Sequence, residues 1–182
     1  MKKSILLFLL LILIGSNLLY AQQTQTQKNE TKKQHSSKVL FEPKSYDKVA
    51  VTITKGKEWK YYQFSEKKPL VFEVQGTTIV YFRVRLLYDV TMKGDQNFTL
   101  AMQEQGMLGM KSDVLTYSFK AKKSSATKMK TDPQLVPSAA HEFKFTVPDG
   151  KHEYYFTLRG TAAPAALIRI LIREKDLKQD ED

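Results

Sequence analysis

The sequence predicts an all-β protein, an antiparallel β-sandwich with a jelly-roll-like arrangement of about nine strands. Apolar and polar residues alternate along many short segments, and turn-forming residues recur roughly every eight to twelve positions. No helical period persists beyond about one or two turns after the first twenty residues. A closed barrel is the alternative architecture, because periodicity alone does not separate it from a sandwich.

The longest apolar run after the first twenty residues covers residues 70–89, where apolar and polar residues alternate. It is dense in β-branched and aromatic residues, which favours strands over a helix. Successive side chains of a strand point to opposite faces. We expect the core-facing residues to be Val80, Phe82, Val84 and Leu86. We expect the outer-face residues to be Tyr81, Arg83 and Arg85. Gln75, Gly76 and Thr77 predict a turn that joins two strands of this segment as a hairpin.

The first 21 residues have the three regions of a secretory signal peptide. Lys2 and Lys3 precede a ten-residue apolar run, Ile5 to Ile14, and Ala21 provides a small residue for cleavage. An uncleaved anchor is the alternative, but a bilayer-spanning helix needs about 20 apolar residues. We therefore predict an exported protein, periplasmic or extracellular, with a bacterial-type signal peptide and no transmembrane segment after cleavage.

The composition of the remaining chain predicts one domain between two polar segments. Residues 22–38 contain no large apolar side chain before the domain and predict a disordered linker. The β-sandwich domain is expected at 39–175, followed by a charged tail at 176–182. The formal net charge is +10, and it becomes +8 when the two lysines of the signal peptide are removed. Cysteine is absent, which excludes disulfides and thiolate metal sites.

Two further segments carry specific expectations. Pro148, Asp149 and Gly150 form a turn sequence between two alternating segments, and predict a second hairpin of residues 143–147 with 152–158. Residues 121–140 read as a long basic loop, rich in serine and poor in core-sized residues. Its candidate anion-binding residues are Lys122, Lys123, Lys128 and Lys130. A solvated loop without a ligand is the alternative interpretation.

The sequence contains no recognisable catalytic motif. His141 and His152 flank the second predicted hairpin, where they could face each other, but they lack the clustering typical of metal ligands. We expect ordinary strand residues at both positions, and we predict no metal, no cofactor and no enzymatic activity. No serine lies in a Gly-x-Ser-x-Gly turn.

Aromatic and arginine residues at alternate positions predict binding surfaces on the outer faces of the strands. Aromatic rings beside guanidinium groups can stack on planar ligands and bind carboxylates or phosphates. The candidate ligand-binding residues are Tyr81, Arg83, Arg85, Tyr155, Arg159 and Arg169. The alternative is a polar face that keeps the sheet soluble and protects its edges.

These observations favour an exported, non-enzymatic module that binds or scaffolds a component of the cell envelope or the exterior. The expected partner is a glycan or an anionic polymer, or else another protein, because positive charge attracts polyanions. Nucleic acid is not expected for an exported chain without a nucleic-acid-binding motif. The alternative function is an accessory subunit or a small secreted enzyme that acts on envelope polymers.

Overall fold

The computed structural model describes residues 37–105 and 111–177. The predicted signal peptide, most of the predicted linker and the last five residues lie outside these ranges. Among the described residues, no helix has the length and apolar composition needed to cross a membrane.

The described residues form twelve strands and one short helix. The strands are β1 (Lys38–Phe41), β2 (Lys48–Thr54), β3 (Lys57–Phe64), β4 (Leu70–Gln75), β5 (Thr78–Tyr88), β6 (Gln96–Gln105), β7 (Lys111–Ala121), β8 (Thr127–Met129), β9 (Val136–Pro137), β10 (His141–Val147), β11 (Lys151–Arg159) and β12 (Ala165–Arg173), and the helix is α1 (Glu174–Leu177). All nine strands expected from the alternation are present, and β1, β8 and β9 are three short additional ones. The predicted all-β antiparallel class is confirmed.

The strands form two antiparallel sheets. Sheet A has the order β10-β5-β12-β3-β2-β8, with β1 paired to β12 and β9 paired to β5. Sheet B has the order β4-β11-β6-β7. Sheet A is strongly curved, because β8, at one end of its path, contacts β9, which pairs with β5 near the other end. The larger sheet thus approaches the barrel that the sequence left as an alternative.

The main core lies between the two sheets, because the alternation directs the apolar side chains of each sheet toward the other. Phe82 of β5 makes edge-to-face contacts with Phe72 of β4 and Phe156 of β11, at ring-centre distances of 5.7 and 5.1 Å. Val80, Phe82, Val84 and Leu86 are all buried, as predicted. Aromatic rings from opposite sheets therefore interlock at the centre of the sandwich.

Both predicted hairpins are wrong, although both turns exist. β4 lies in sheet B and β5 in sheet A, while β10 lies in sheet A and β11 in sheet B. Each turn carries the chain from one sheet to the other. The two connections contact each other, because the Gly76 amide donates to the Gly150 carbonyl at 2.8 Å. A Cβ on Gly76 would lie 1.5 Å from the Pro148 carbonyl oxygen, which explains glycine there.

The predicted basic loop at 121–140 is part of sheet A and closes over a second apolar cluster, and we call it the covering segment. Its short strands β8 and β9 pair with β2 and β5. Met129 is buried against Tyr61 and Leu167 in a second apolar cluster, and Leu135 packs at its side. The expectation of a structureless loop is therefore wrong, because a few apolar side chains among the lysines suffice to anchor the segment.

Candidate functional site

An open cleft of about 490 Å³ lies on the outer face of sheet A, on the part that the covering segment leaves free. This volume falls in the range of small-molecule sites. Strands β1, β3, β5, β10 and β12 all contribute, so that the cleft has a rigid floor. The lining residues are Lys38, Trp59, Tyr81, Phe82, Arg83, Glu142, Phe143, Lys144, Arg169 and Leu171.

The strand register places two arginines side by side in this cleft. Arg83 of β5 lies directly opposite Arg169 of β12 on one side and opposite Glu142 of β10 on the other. Like charges directly opposite each other on a sheet are unfavourable. A carboxylate compensates the positive charge of one of the two guanidinium groups, that of Arg83.

Arg83 is held by Glu142. The Arg83 Nε donates a hydrogen bond to Glu142 Oε1 at 2.7 Å, and Arg83 Nη2 contacts the same oxygen. The Glu142 side chain is 61% exposed, and that of Arg83 is 35% exposed. Because the pair is open to water, it orders the Arg83 side chain more than it stabilises the fold.

Arg169 has no such carboxylate among the residues that the structure describes. Its guanidinium lies over the Trp59 ring at 4.7 Å and near the Tyr61 ring at 5.8 Å, which are cation–π distances. The Nε atom of Arg169 is buried and has no hydrogen-bond partner. Burial lowers the pKa of the Arg169 guanidinium from its usual value, with the positive charge of Arg83 acting in the same direction against the opposing effect of Tyr61. Arg169 is therefore a half-buried cation that an anion would stabilise.

Tyr81 organises the cations at the other end of the cleft. The Lys38 Nζ lies 3.5 Å from the centre of the Tyr81 ring, and Arg173 Nη2 donates to the Tyr81 hydroxyl at 2.8 Å. Aromatic rings thus support cations at both ends, rather than presenting bare faces for stacking. The ring faces of Trp59 and Tyr81 are each occupied on one side by a positive charge.

The lining carries four cationic side chains, those of Lys38, Arg83, Lys144 and Arg169, and one carboxylate, that of Glu142. The cleft therefore has an excess of three positive charges. Among the described residues, only Arg83 of these four cations forms an ion pair. A concave surface of one charge sign concentrates ions of the opposite sign.

The candidate ligand-binding residues on β5 lie in two environments. Tyr81 and Arg83 line the cleft, together with the candidate Arg169 of β12. Arg85 is buried, with 7% exposure, and is unavailable to a ligand. Its Nε donates to the Tyr61 hydroxyl at 3.1 Å and its Nη1 to the Ser138 carbonyl at 2.5 Å. The expectation that Arg85 lies on an open face is wrong, because the covering segment packs over that end of β5.

Tyr155 and Arg159 do not join this cleft, because both lie on β11 in sheet B. The Tyr155 hydroxyl donates to Glu153 at 2.8 Å and also contacts Gln105. Arg159 is exposed at the end of the strand. The predicted ligand-binding residues therefore divide between the two sheets.

The four lysines of the covering segment are all exposed, but two have partners within the protein. Lys123 donates to the Met92 carbonyl at 2.7 Å, and Lys130 pairs with Glu58 at 2.6 Å. Lys122 and Lys128 remain as solvated cations outside the cleft lining. These residues add positive charge without a shaped site.

The two histidines lie in different sheets and do not face each other across a hairpin. His152 Nδ1 lies 2.5 Å from Glu104 Oε1, and its Nε2 lies 3.0 Å from the Asp149 carbonyl oxygen. His141 packs against Phe98 and Phe119, and burial lowers its pKa. Within the described residues, no three metal-ligand side chains come together.

Sequence reasoning did not include Lys38, Trp59, Glu142 and Lys144 among the binding candidates, although all of them line the cleft. Glu142 and Lys144 alternate with Phe143 and Phe145, so their outward direction was readable from the sequence. What was not readable is that β10 pairs with β5 and brings them beside Arg83. Trp59 lies half-buried at the cleft, beside the second apolar cluster.

Comparison with known proteins adds no assignment. No protein-family model matches the chain, and a search of curated proteins finds no significant match.

Proposed function

We propose that this protein is an exported, non-enzymatic β-sandwich module that binds an anionic polymer of the cell envelope or the exterior in the cleft on sheet A. The observation that carries the proposal is the excess of three positive charges in an open, rigid cleft. Elsewhere on the surface several lysines have carboxylate partners, as on sheet B, where Lys151 binds Glu73 at 2.8 Å. Binding an anion supplies the missing partners.

The shape of the cleft favours a polymer over a small enclosed ligand. Its floor consists of side chains from five strands, and the site is open along the sheet face. A chain of anionic residues could lie across several strands and meet Lys144, Arg83 and Arg169 in succession. The export predicted from the first 21 residues would place this cleft among envelope or extracellular polymers.

The lining also favours binding over cleavage. Glycoside hydrolysis commonly uses two carboxylates on opposite sides of the bond that breaks. The described cleft contributes one, Glu142, and that carboxylate is bound to Arg83. We therefore propose that the cleft retains its polymer unchanged.

Retention on immobilised polymers tests the proposal. The purified protein should bind an anionic matrix and not a neutral one, and it should elute as salt rises, because the Debye length falls from about 10 Å at 0.1 M to about 3 Å at 1 M. Replacing Arg83 and Arg169 together by glutamine should abolish most of the retention.

The matched control replaces Lys122 and Lys128 by glutamine, which removes the same charge from outside the cleft. This control should keep most of the retention. If both double variants lose retention equally, net charge rather than the cleft accounts for binding. If the unmodified protein is retained on neither matrix at low salt, the proposed function is wrong.

A further inference from the structure

The two arginines of the cleft differ in a way that points to the chemistry of the ligand. The guanidinium groups lie on directly opposed residues, and a carboxylate binds one of them through its Nε edge. Arg169 has the same set of donors, and none of them binds a carboxylate of the described residues. Its Nε is enclosed by the protein, so that a ligand in the cleft would meet its terminal Nη groups.

Arginine is the residue that recognises planar anions by geometry. Its guanidinium offers a rigid fork of donors that matches two oxygens of a carboxylate or a phosphate, whereas lysine offers a point charge. The Trp59 ring holds the Arg169 group at 4.7 Å and limits its motion. A fork that is already ordered binds a matching anion with little loss of side-chain entropy.

The surroundings of Arg169 are apolar as well as charged. Leu171 lies two residues farther along β12, and Trp59 and Tyr81 also line the cleft, although a cation covers one face of each ring. A ligand that matches this surface carries an apolar face directly next to its anionic group. A sugar acid has this combination, since its ring exposes C–H groups and bears the carboxylate. A polyphosphate chain offers charge without an apolar face.

We infer that the cleft selects an acidic glycan whose sugar rings carry carboxylates, and that Arg169 is the residue that binds the carboxylate through its guanidinium fork. This inference rests on the proposed function, because it assumes that the cleft is where an anionic polymer binds. It adds that recognition depends on the geometry of the anion and not only on its charge.

Three polymers separate geometry from charge. Polygalacturonate carries a carboxylate on each ring, its fully methyl-esterified form has the same backbone without the charge, and dextran sulfate carries sulfate groups instead. At equal salt, we expect the protein to bind polygalacturonate more tightly than dextran sulfate, and the methyl ester not at all. Affinities would be measured by titration calorimetry with the full purified protein.

The decisive variant is Arg169→Lys, which keeps the charge and removes the fork. Its affinity for polygalacturonate should fall about tenfold, the effect of losing one charge-assisted hydrogen bond, and its affinity for dextran sulfate should change less than about twofold. Lys128→Gln removes a charge outside the cleft and serves as the control. It should leave both affinities nearly unchanged. Near-ultraviolet circular dichroism would establish that the Arg169→Lys protein is folded.

Lys144→Gln provides a second variant in case Arg169→Lys does not fold. Lys144 is exposed at the cleft, so its replacement should weaken binding to both anionic polymers without disturbing packing. Two outcomes would overturn the inference and leave the proposed function standing. The first is equal affinity of the unmodified protein for polygalacturonate and dextran sulfate. The second is an unchanged affinity for polygalacturonate in a folded Arg169→Lys protein. Absence of binding to either anionic polymer would overturn both.

Discussion

Two arginines on one strand show how far a single residue's position can be predicted. Alternation places Arg83 and Arg85 on the same face of β5, and both do point away from the main core. Arg83 is at the cleft, whereas Arg85 lies beneath the covering segment. Alternation reports the side of a sheet, but it does not report what packs on that side. Whether a residue is covered depends here on a segment distant in the sequence, since the Arg85–Ser138 hydrogen bond joins residues 53 positions apart.

Replacing each of these arginines by alanine should have different effects on stability. Arg85→Ala removes the donor to the buried Tyr61 hydroxyl and the Ser138 carbonyl, and should cost roughly 1 to 3 kcal/mol or more. Arg83→Ala removes a water-exposed ion pair and should cost less than about 1 kcal/mol. Urea unfolding of both variants measures the difference. Equal small losses would mean that Arg85 is not buried in solution.

Glu142 should limit the affinity of the cleft for anions. It is the carboxylate of the lining, and it occupies the Nε edge of Arg83. Glu142→Gln removes a negative charge that repels the ligand and releases donors of Arg83. We expect retention on an anionic matrix to persist to higher salt in this variant. Weaker retention would show that Glu142 is needed to orient Arg83.

His152 should make stability depend on pH. Burial alone would lower its pKa, but hydrogen bonds to Glu104 and to the Asp149 carbonyl outweigh burial and raise the pKa above the usual 6.5. The folded state therefore holds the proton more tightly than the unfolded state. This stabilisation is fully present below the unfolded pKa and is lost as the pH rises through the folded pKa.

His152→Gln tests that contribution, because glutamine keeps a donor near Glu104 and does not titrate. Between about pH 6 and 9, the unmodified protein should lose more stability than the variant as the pH rises. Urea midpoints at several pH values give the comparison. Parallel curves for the two proteins would contradict the assigned role of the His152–Glu104 pair.

At the scale of elements, the sequence predicts the strands well and their partners poorly. Nine alternating segments became strands, because burial on one face imposes a period of two. Both predicted hairpins failed, because the turn residues at Gly76 and at Pro148–Gly150 reverse the chain without determining whether the two strands share a sheet. The cleft could not be predicted without the strand partners, because the pairing of β10 with β5 brings Glu142 and Lys144 beside Arg83.

The covering segment is the element whose prediction failed most clearly, and one substitution pair tests its structure. Met129 is buried, whereas Lys128, its neighbour on β8, is exposed. Met129→Ala should destabilise the protein by about 2 kcal/mol or more, the low end for a buried methionine. Lys128→Ala should change stability by less than about 0.5 kcal/mol. Similar unfolding midpoints for the two variants would support the structureless loop instead.

At the scale of the whole molecule, the two ends of the described chain are joined beside the cleft. β1 pairs with the last strand, β12, in the register Lys38 opposite Arg173. The Glu174 amide donates to the Ser37 carbonyl at 2.9 Å just beyond that pair. Strand β1 therefore contributes to both stability and binding, because it pairs with β12 and also places Lys38 over the Tyr81 ring.

Removing β1 should therefore weaken both properties. A chain that begins at Glu42 loses Leu40 and Phe41, which are half-buried against the core, and should be destabilised by roughly 2 to 4 kcal/mol relative to a chain that begins at Ser37. It also loses the cation over Tyr81, so retention on an anionic matrix should fall. Lys38→Gln in the longer chain separates the two effects, because it should reduce retention and leave the unfolding midpoint unchanged. If the shorter chain unfolds at the same urea concentration as the longer one, the pairing of β1 with β12 does not contribute to the stability of the fold.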